Sequence, residues 1–348
     1  MSRKLIVRGL FLVIFAVILG LSAEPFYAGV TSSQSNCRGR LHNNTLQAIL
    51  RTWEKPGDGL DIIGYLPPHH LATGIEPRPC HSHNDYWRRV PLFEALAAGC
   101  TSVEADVWLD DDLAIPLVGH SRHSLTAERT LKSLYIDPII AILESQYPAN
   151  SMEPAGILGI DDTASLVLLL DLKSSDHRLW SAVQAQLQPL RDGNWLTYWD
   201  AARDVRVARP VTVVASGAAS FDAIASALRP DIFFDAPLDN LDERYNVSNS
   251  HYASVSMTRA VGSVPWSLGP IQRATVDRQI KAAAERGLIS RYWGTPSRPL
   301  ARRDSVWNDL VRLGVGVLNG DDINCMNTIL SRPCAYDGTL KTPLEDEV

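Results

Sequence analysis

The sequence predicts an α/β protein, a (β/α)8 barrel of the TIM type. Two observations carry the prediction. β-type runs alternate with helical stretches through most of the chain, and eight such runs fit the roughly 250 residues that one barrel takes. Several runs are apolar without a break, Leu166-Val167-Leu168-Leu169-Leu170 above all, as parallel strands buried on both faces must be.

The chain opens on Met1-Ser2-Arg3-Lys4 and Arg8, followed by an uncharged apolar run over residues 10–21. That run is shorter than the ~20 residues of a spanning helix, so residues 1–23 read as a signal peptide. A signal anchor is the alternative, with residues 5–7 lengthening the span across Arg8. The expected location is therefore the secretory pathway or the exterior, or a membrane reached through residues 5–23. Residues 24–76 form a polar, turn-rich extension with one helical segment over 46–53. Its Pro67-Pro68-His69-His70 lacks carboxylate or thiol neighbours and reads as a plain loop. The barrel is expected over 77–330, and 331–348 reads as a polar tail.

Within the barrel, strands are predicted at 78–81, 101–108, 166–173, 211–216, 231–235, 252–256, 288–293 and 315–319. Helices are predicted at 91–98, 177–190, 221–228, 275–286 and 305–313. Residues 115–120 break this rhythm. They follow Asp110-Asp111-Asp112 almost at once and read as the return arm of a hairpin rising from the second strand. The three aspartates read as a solvated turn, because consecutive side chains do not converge on one ion in ordinary backbone.

Composition sets limits on function. Among 348 residues, 45% are hydrophobic and 21% charged, as in soluble globular proteins. A net charge of −6 argues against a nucleic-acid surface but permits a small anion held by local positive charge. The five cysteines suit an oxidising compartment and leave one over. Proximity in sequence suggests Cys325 with Cys334 and Cys37 with Cys80, leaving Cys100 as a core thiol, although spacing does not fix the pairing. Sequons at Asn43 and Asn246 agree with secretion.

In this type of barrel the active site lies at the C-terminal ends of the strands. Those ends are where polar side chains gather. His81-Ser82-His83-Asn84-Asp85 ends the first strand, Glu104 and Asp106 the second, and Asp171 and Lys173 the third. Arg291-Tyr292-Trp293 ends the seventh and Asn319-Gly320-Asp321-Asp322 the eighth. Side chains two apart on a strand share a face, so Glu104 and Asp106 point together, as do Asp171 and Lys173. Each carboxylate alone reads equally well as a salt-bridge partner. Three at neighbouring strand ends read better as a hard oxygen site for Mg²⁺ or Ca²⁺. Lys173 would add a positive contact to a phosphate. His81 and His120 are the acid–base candidates, since imidazole can give and take a proton near neutral pH. His83 is expected behind the site or against the substrate, Asn84 against the substrate, and His123 at the surface.

The segments HSHNDYWR, PLFEALAAGCTSVEADVWL, PLVGH and LLLDLKSS together resemble the PLC-like phosphodiesterase superfamily, which includes glycerophosphodiester phosphodiesterases and sphingomyelinase D. The likeness is greatest to the fungal altered inheritance of mitochondria protein 6 family, which shares endings such as RYWGTP and GVLNGDD. It covers roughly residues 77–330. The resemblance implies that His81 and His120 are catalytic histidines and that Glu104, Asp106 and Asp171 are metal ligands. It also implies that Lys173 and Trp293 contact substrate. One departure stands out. Glycerophosphodiesterases carry His-Arg-Gly at the first strand, whereas this chain has His-Ser-His, so Arg88 or Arg89 would have to supply the phosphate contact. The expected activity is metal-dependent hydrolysis of a phosphoric diester, a glycerophosphodiester or (lyso)phospholipid. The alternatives are transphosphatidylation to a cyclic phosphate, as in sphingomyelinase D, or a non-catalytic binding protein on the same barrel. The expected partners are a small phosphodiester or phospholipid-like substrate and a peripheral membrane contact, with no nucleic acid and no obligate protein partner.

Overall fold

The computed structural model describes residues 44–65, 71, 74–110, 112, 114–147, 156–157 and 164–332. The signal segment, His69-His70, Asp111, Asn43, Cys37, Cys334 and the rest of the C-terminal tail from residue 333 lie outside the described residues.

Two short helices, α1 (Asn44–Thr52) and α2 (Leu60–Gly64), precede the barrel and bury Leu46, Ile49 and Ile63. The strands that follow are β1 (Arg78–Ser82), β2 (Cys100–Leu109), β3 (Pro116–Val118) and β4 (Leu166–Leu172). Next come β5 (Tyr198–Asp200), β6 (Val205–Val207), β7 (Val211–Gly217) and β8 (Ile232–Pro237). The last are β9 (Ser250–Ser256), β10 (Ile289–Trp293) and β11 (Leu318–Gly320). Eight of these form one parallel sheet in the order β10-β9-β8-β7-β4-β2-β1-β11. A parallel bridge between Arg291 and Val317 joins its two ends. The sheet is therefore a closed (β/α)8 barrel, as the alternation of elements predicts. All eight predicted strands are present. The hairpin arm is present too, with β3 antiparallel to β2. The small β5–β6 ribbon was not predicted.

The helices are α3 (Phe93–Ala97), α4 (Asp137–Gln146), α5 (His177–Gln186), α6 (Gln188–Asp192) and α7 (Phe221–Ala225). They continue with α8 (Met257–Val261), α9 (Pro270–Ala284), α10 (Leu300–Arg312) and α11 (Ile323–Leu330). Helices α4, α8 and α11 were not predicted, and proline explains part of the remaining difference. The single helix expected over 177–190 is two, broken ahead of Pro189, whose ring nitrogen has no N–H to donate. Pro270 is the first residue of α9, where a missing N–H costs nothing, and Pro299 is the residue that precedes α10.

Side-chain alternation layers the barrel interior. Val167, Leu169, Val214, Tyr252 and Val317 form an apolar floor, with Ile289 packed against it. Two residues further along the same strands, the inward positions turn polar, and this is where the site begins.

A disulfide joins Cys80 to Cys100, both fully buried, with Cα atoms 4.7 Å apart. This corrects two expectations: Cys80 does not pair with Cys37, and Cys100 is not a free thiol. Parallel pairing of β1 with β2 brings the two cysteines together across a whole connection, which linear spacing does not show. Cys325 is also disulfide-bonded.

Candidate active site

A cavity of about 590 Å³ opens at the C-terminal ends of the barrel strands. Glu104, Asp106 and Asp171 line it, and their carboxylate oxygens come within 4.8 Å of one another. The register pairs Asp106 of β2 with Asp171 of β4, so the juxtaposition follows from ordinary parallel pairing. Lys173 Nζ lies 2.8 Å from Asp106 Oδ2 and 2.6 Å from Asp171 Oδ2. Burial would lower its pKa, but the bonds to Asp106 and Asp171 raise it instead, so it stays charged. Lys173 lines the cavity as expected, yet its ammonium is held by the two carboxylates. Gly217, at the end of β7, has φ +66°, and a Cβ there would stand 1.9 Å from Asp171 Oδ1. Only glycine leaves that carboxylate its place.

The trio carries more negative charge than its neighbours neutralise. Burial, opposed by Lys173, raises the Asp106 carboxyl, and the charges of Asp171 and Glu104 add to the rise. Asp106 Oδ1 is buried and meets no hydrogen-bond donor among the described residues. A buried carboxylate oxygen without a donor, facing two further carboxylates, is a donor set that fits a hard divalent cation.

The histidines divide differently from expectation. His81 is fully buried and absent from the cavity wall. Its Nδ1 is 2.6 Å from Ser102 Oγ and its Nε2 is 3.0 Å from Glu104 Oε2. Tyr252 donates to Ser102 Oγ at 2.9 Å and stands edge-on to the His81 ring. Burial, then the Arg291 charge, pushes the His81 pKa down to about 4. Both nitrogens are thus occupied inside the protein, where the ring is neutral and holds Glu104.

His83, on the same face two residues on, does line the cavity. Its Nδ1 is 2.8 Å from Asp321 Oδ1, beyond the end of β11. Burial would lower its pKa, but the Asp321 bond and the Glu104 and Asp321 charges outweigh that and raise it. Asn84 also lines the cavity; its backbone is left-handed at φ 46°, and its Oδ1 accepts from Tyr86 OH at 2.8 Å. The turn is pinned by Asp85, fully buried, which accepts from Ser82 Oγ and Leu92 N at 2.6 Å each and from Tyr135 OH at 3.1 Å.

His120 faces the acidic trio from the hairpin. Its Nδ1 is 3.5 Å from Asp106 Oδ2 and 3.3 Å from Tyr86 OH, and the Trp87 ring lies over it at 4.7 Å. Two bonds fix the arm that carries it. Trp108 Nε1 donates to Gly119 O at 2.7 Å, and Gly119 N donates to Asp106 O at 3.1 Å. Trp293 lines the cavity from β10. His123 is exposed, as expected.

Neither arginine proposed from sequence reaches this cavity. Arg88 donates to Ser82 Oγ and Asp321 O, and Arg89 to Trp53 O. The arginine present is Arg291. It is buried and bonds Asn319 Oδ1 at 2.9 Å, Glu104 Oε2 at 3.1 Å and Asp235 Oδ2 at 3.3 Å. Burial alone would raise the Glu104 carboxyl, but Arg291 and His81 hold it well below the usual range. Asp235 is pushed up to about 6 by burial, against the pull of Arg291. Arg291, Asp235 and Asp321 were not singled out as site residues, although Arg291 and Asp321 stand at the strand ends where polar residues gather. A charged residue in a strand otherwise built for burial was the available signal.

Residues 69–235 match the model of the AIM6-like phosphodiesterase domain. The chain is 39% identical to an altered inheritance of mitochondria protein 6 homolog of Arthroderma benhamiae, over 75% of this chain and 86% of that protein. It is a member of the altered inheritance of mitochondria protein 6 family. Other members of the family are similar at comparable length. The Eremothecium gossypii protein is 35% identical over 71% of this chain and 68% of its own. A Saccharomyces cerevisiae protein is 32% identical over 75% and 73%. Among solved structures, a glycerophosphoryl diester phosphodiesterase from Parabacteroides distasonis aligns with 78% of this chain and 91% of its own, at 12% identity and a TM-score of 0.41. Glu104, Asp106, His120, Asp171 and Lys173 fall inside the segment matching the family domain, while Arg291, Trp293 and Asp321 lie beyond it.

Proposed function

We propose that this family member is a metal-dependent phosphoric diester hydrolase acting on a glycerophosphodiester or (lyso)phospholipid, with His83 and His120 as its acid–base pair. One observation carries the reading: the unpartnered, buried Oδ1 of Asp106 within the three-carboxylate cluster. The match to a phosphodiesterase domain supports the reaction class.

Charge balance explains why a cation is needed. Glu104, Asp106, Asp171, Asp235 and Asp321 stand against Lys173, Arg291 and a protonated His83. A diester anion alone would meet net negative charge in the cavity. Mg²⁺ or Ca²⁺ held by Glu104, Asp106 and Asp171 would cancel that excess and polarise a phosphoryl oxygen.

The protein's own groups supply the proton transfers. Asp321 takes up Nδ1 of His83, so Nε2 is the nitrogen left to face the cavity. With its pKa raised, His83 is the acid that protonates the departing alkoxide as the P–O bond breaks. His120 takes a proton from the attacking water. His81 serves by holding Glu104, and Arg291 by keeping that carboxyl ionised. Phe234, Tyr245, Pro237 and Trp293 form an apolar side of the same cavity, which suits the organic part of a lipid-derived diester. The Cys80–Cys100 disulfide supports maturation in an oxidising compartment, in keeping with the signal-like N-terminus.

The test compares wild type with Asp106→Asn, His83→Ala and His120→Ala, on glycerophosphocholine and bis(p-nitrophenyl) phosphate, with and without chelator. Calorimetry of Mg²⁺ and Ca²⁺ binding accompanies it. Asp106→Asn should lose cation binding and turnover together. The histidine variants should keep cation binding and lose roughly 100-fold or more in turnover. Full activity after chelation would remove the metal from the proposal, and full activity of His83→Ala would remove the histidine assignment.

A further inference from the structure

We infer that the end of the barrel bearing the cavity docks on the surface of a phospholipid bilayer, with Trp87, Trp266, Ile271 and Trp293 entering the interface. The purpose of this docking rests on the phospholipid reading above; its test does not.

Among the described residues, six large hydrophobic side chains are exposed. Four belong to connections at the cavity end: Trp87 at 59%, Trp266 at 49%, Trp293 at 45% and Ile271 at 84%. The other two do not, since Tyr65 adjoins α2 and Leu228 lies on the return to the start of β8. Trp87 sits in the turn after β1, its ring tilted against that of His120 at the mouth. Trp293 is the last residue of β10. Trp266 and Ile271 lie on the connection that leaves the top of β9 and enters α9. Tyr292, one residue before the end of β10, bonds Val276 O and Gln279 Oε1 of α9. The first turn of α9, with Ile271 in it, therefore lies at or beyond the strand ends.

Water contact is unfavourable for each of these side chains, and nothing in the fold obliges their exposure. They are spread over three connections with polar residues between them: Arg88 and Arg89 follow Trp87, Ser263 and Ser267 flank Trp266, and Ser297 and Arg298 follow Trp293. A protein partner would favour a contiguous apolar centre with a polar rim. A bilayer needs only separated anchors at a common depth, and indole prefers that depth because one edge is apolar and the other donates a hydrogen bond. Arg298, on the connection that follows Trp293, is exposed and has no ion-pair partner among the described residues, so it is free to meet a lipid phosphate. Docked this way, the mouth faces the headgroup layer, where a lipid diester already lies.

The test adds the full chain to phosphatidylcholine vesicles, with and without phosphatidylserine, using brominated acyl chains to quench tryptophan. Residues 1–43 contain no tryptophan, so tethering by the N-terminal run alone gives no quenching. Quenching and a blue shift are expected for the wild type. Trp266→Ser/Ile271→Ser should weaken partitioning roughly tenfold while hydrolysis of soluble glycerophosphocholine stays unchanged. The single variant Ile271→Glu gives a second reading at a largely exposed position. Absence of quenching in the wild type, or undiminished quenching in both variants, would overturn the inference. So would a dimer in sedimentation that Trp266→Ser/Ile271→Ser abolishes, because these residues would then face a second copy. If soluble hydrolysis is absent while quenching persists, the hydrolase proposal fails and the docking surface stands.

Discussion

Oδ1 of Asp321 lies 2.8 Å from Nδ1 of His83, which ties the turn after the first barrel strand to the turn after the last. The pair selects the ring tautomer and, with Glu104, raises the pKa of His83. Removing the carboxylate lowers that pKa. If protonated His83 is the acid, the alkaline limb of kcat/KM against pH should move to lower pH in Asp321→Asn, with a loss of roughly 10-fold or more at neutral pH. A profile that keeps its position would show that Asp321 acts on structure alone.

Gly217 makes room for Asp171. In Gly217→Ala the new Cβ meets Asp171 Oδ1 and Leu172 O while the backbone stays at φ +66°. Cation affinity should fall at least about tenfold and stability by about 1 kcal/mol. Calorimetric titration and thermal melting separate the two effects. Unchanged affinity would mean that Asp171 is not a ligand.

His81 should behave as a structural, acid-labile residue. Its folded pKa of about 4 is below the unfolded value of 6.5, so below pH 6.5 the unfolded chain takes up a proton that the native ring refuses. Its contribution to stability is therefore present above pH 6.5 and lost as pH falls towards 4, an effect on the order of 3 kcal/mol. His81→Asn, which cannot titrate, should be less stable than wild type at pH 7, and the gap should narrow by pH 5. Urea denaturation at both values measures it.

The Cys80–Cys100 bridge, 20 residues apart in sequence, should contribute about 3 kcal/mol by restricting the unfolded chain. Cys80→Ala/Cys100→Ala should unfold at correspondingly lower urea. With Cys325 also bonded, two disulfides account for four of five cysteines, so the unreduced, unfolded protein should titrate one thiol.

How much of this was legible depended on the range of the interaction. The Glu104-Ala105-Asp106 and Asp171-Leu172-Lys173 patterns placed their side chains on one face by the period-two geometry of a strand, and the barrel brought those faces together as expected. The same period put His81 and His83 on one face without saying which stood at the cavity. That choice turns on depth, and depth is set by where β1 lies against β2 and β11. At the level of His81 the barrel is closed by Ser102, Tyr252 and Glu104, whereas at the level of His83 it is open.

By itself the sequence determined the barrel, its eight strands, the hairpin that carries His120 and the acidic strand ends, because these follow from local hydrophobic period and turn chemistry. Tertiary structure decided the rest. Only closure of the barrel puts Arg291 beside Glu104, 187 residues away, and Asp321 beside His83, 238 residues away. Only strand pairing joins Cys80 to Cys100. Side-chain period is a property of a single strand, while depth and partner are properties of the closed sheet.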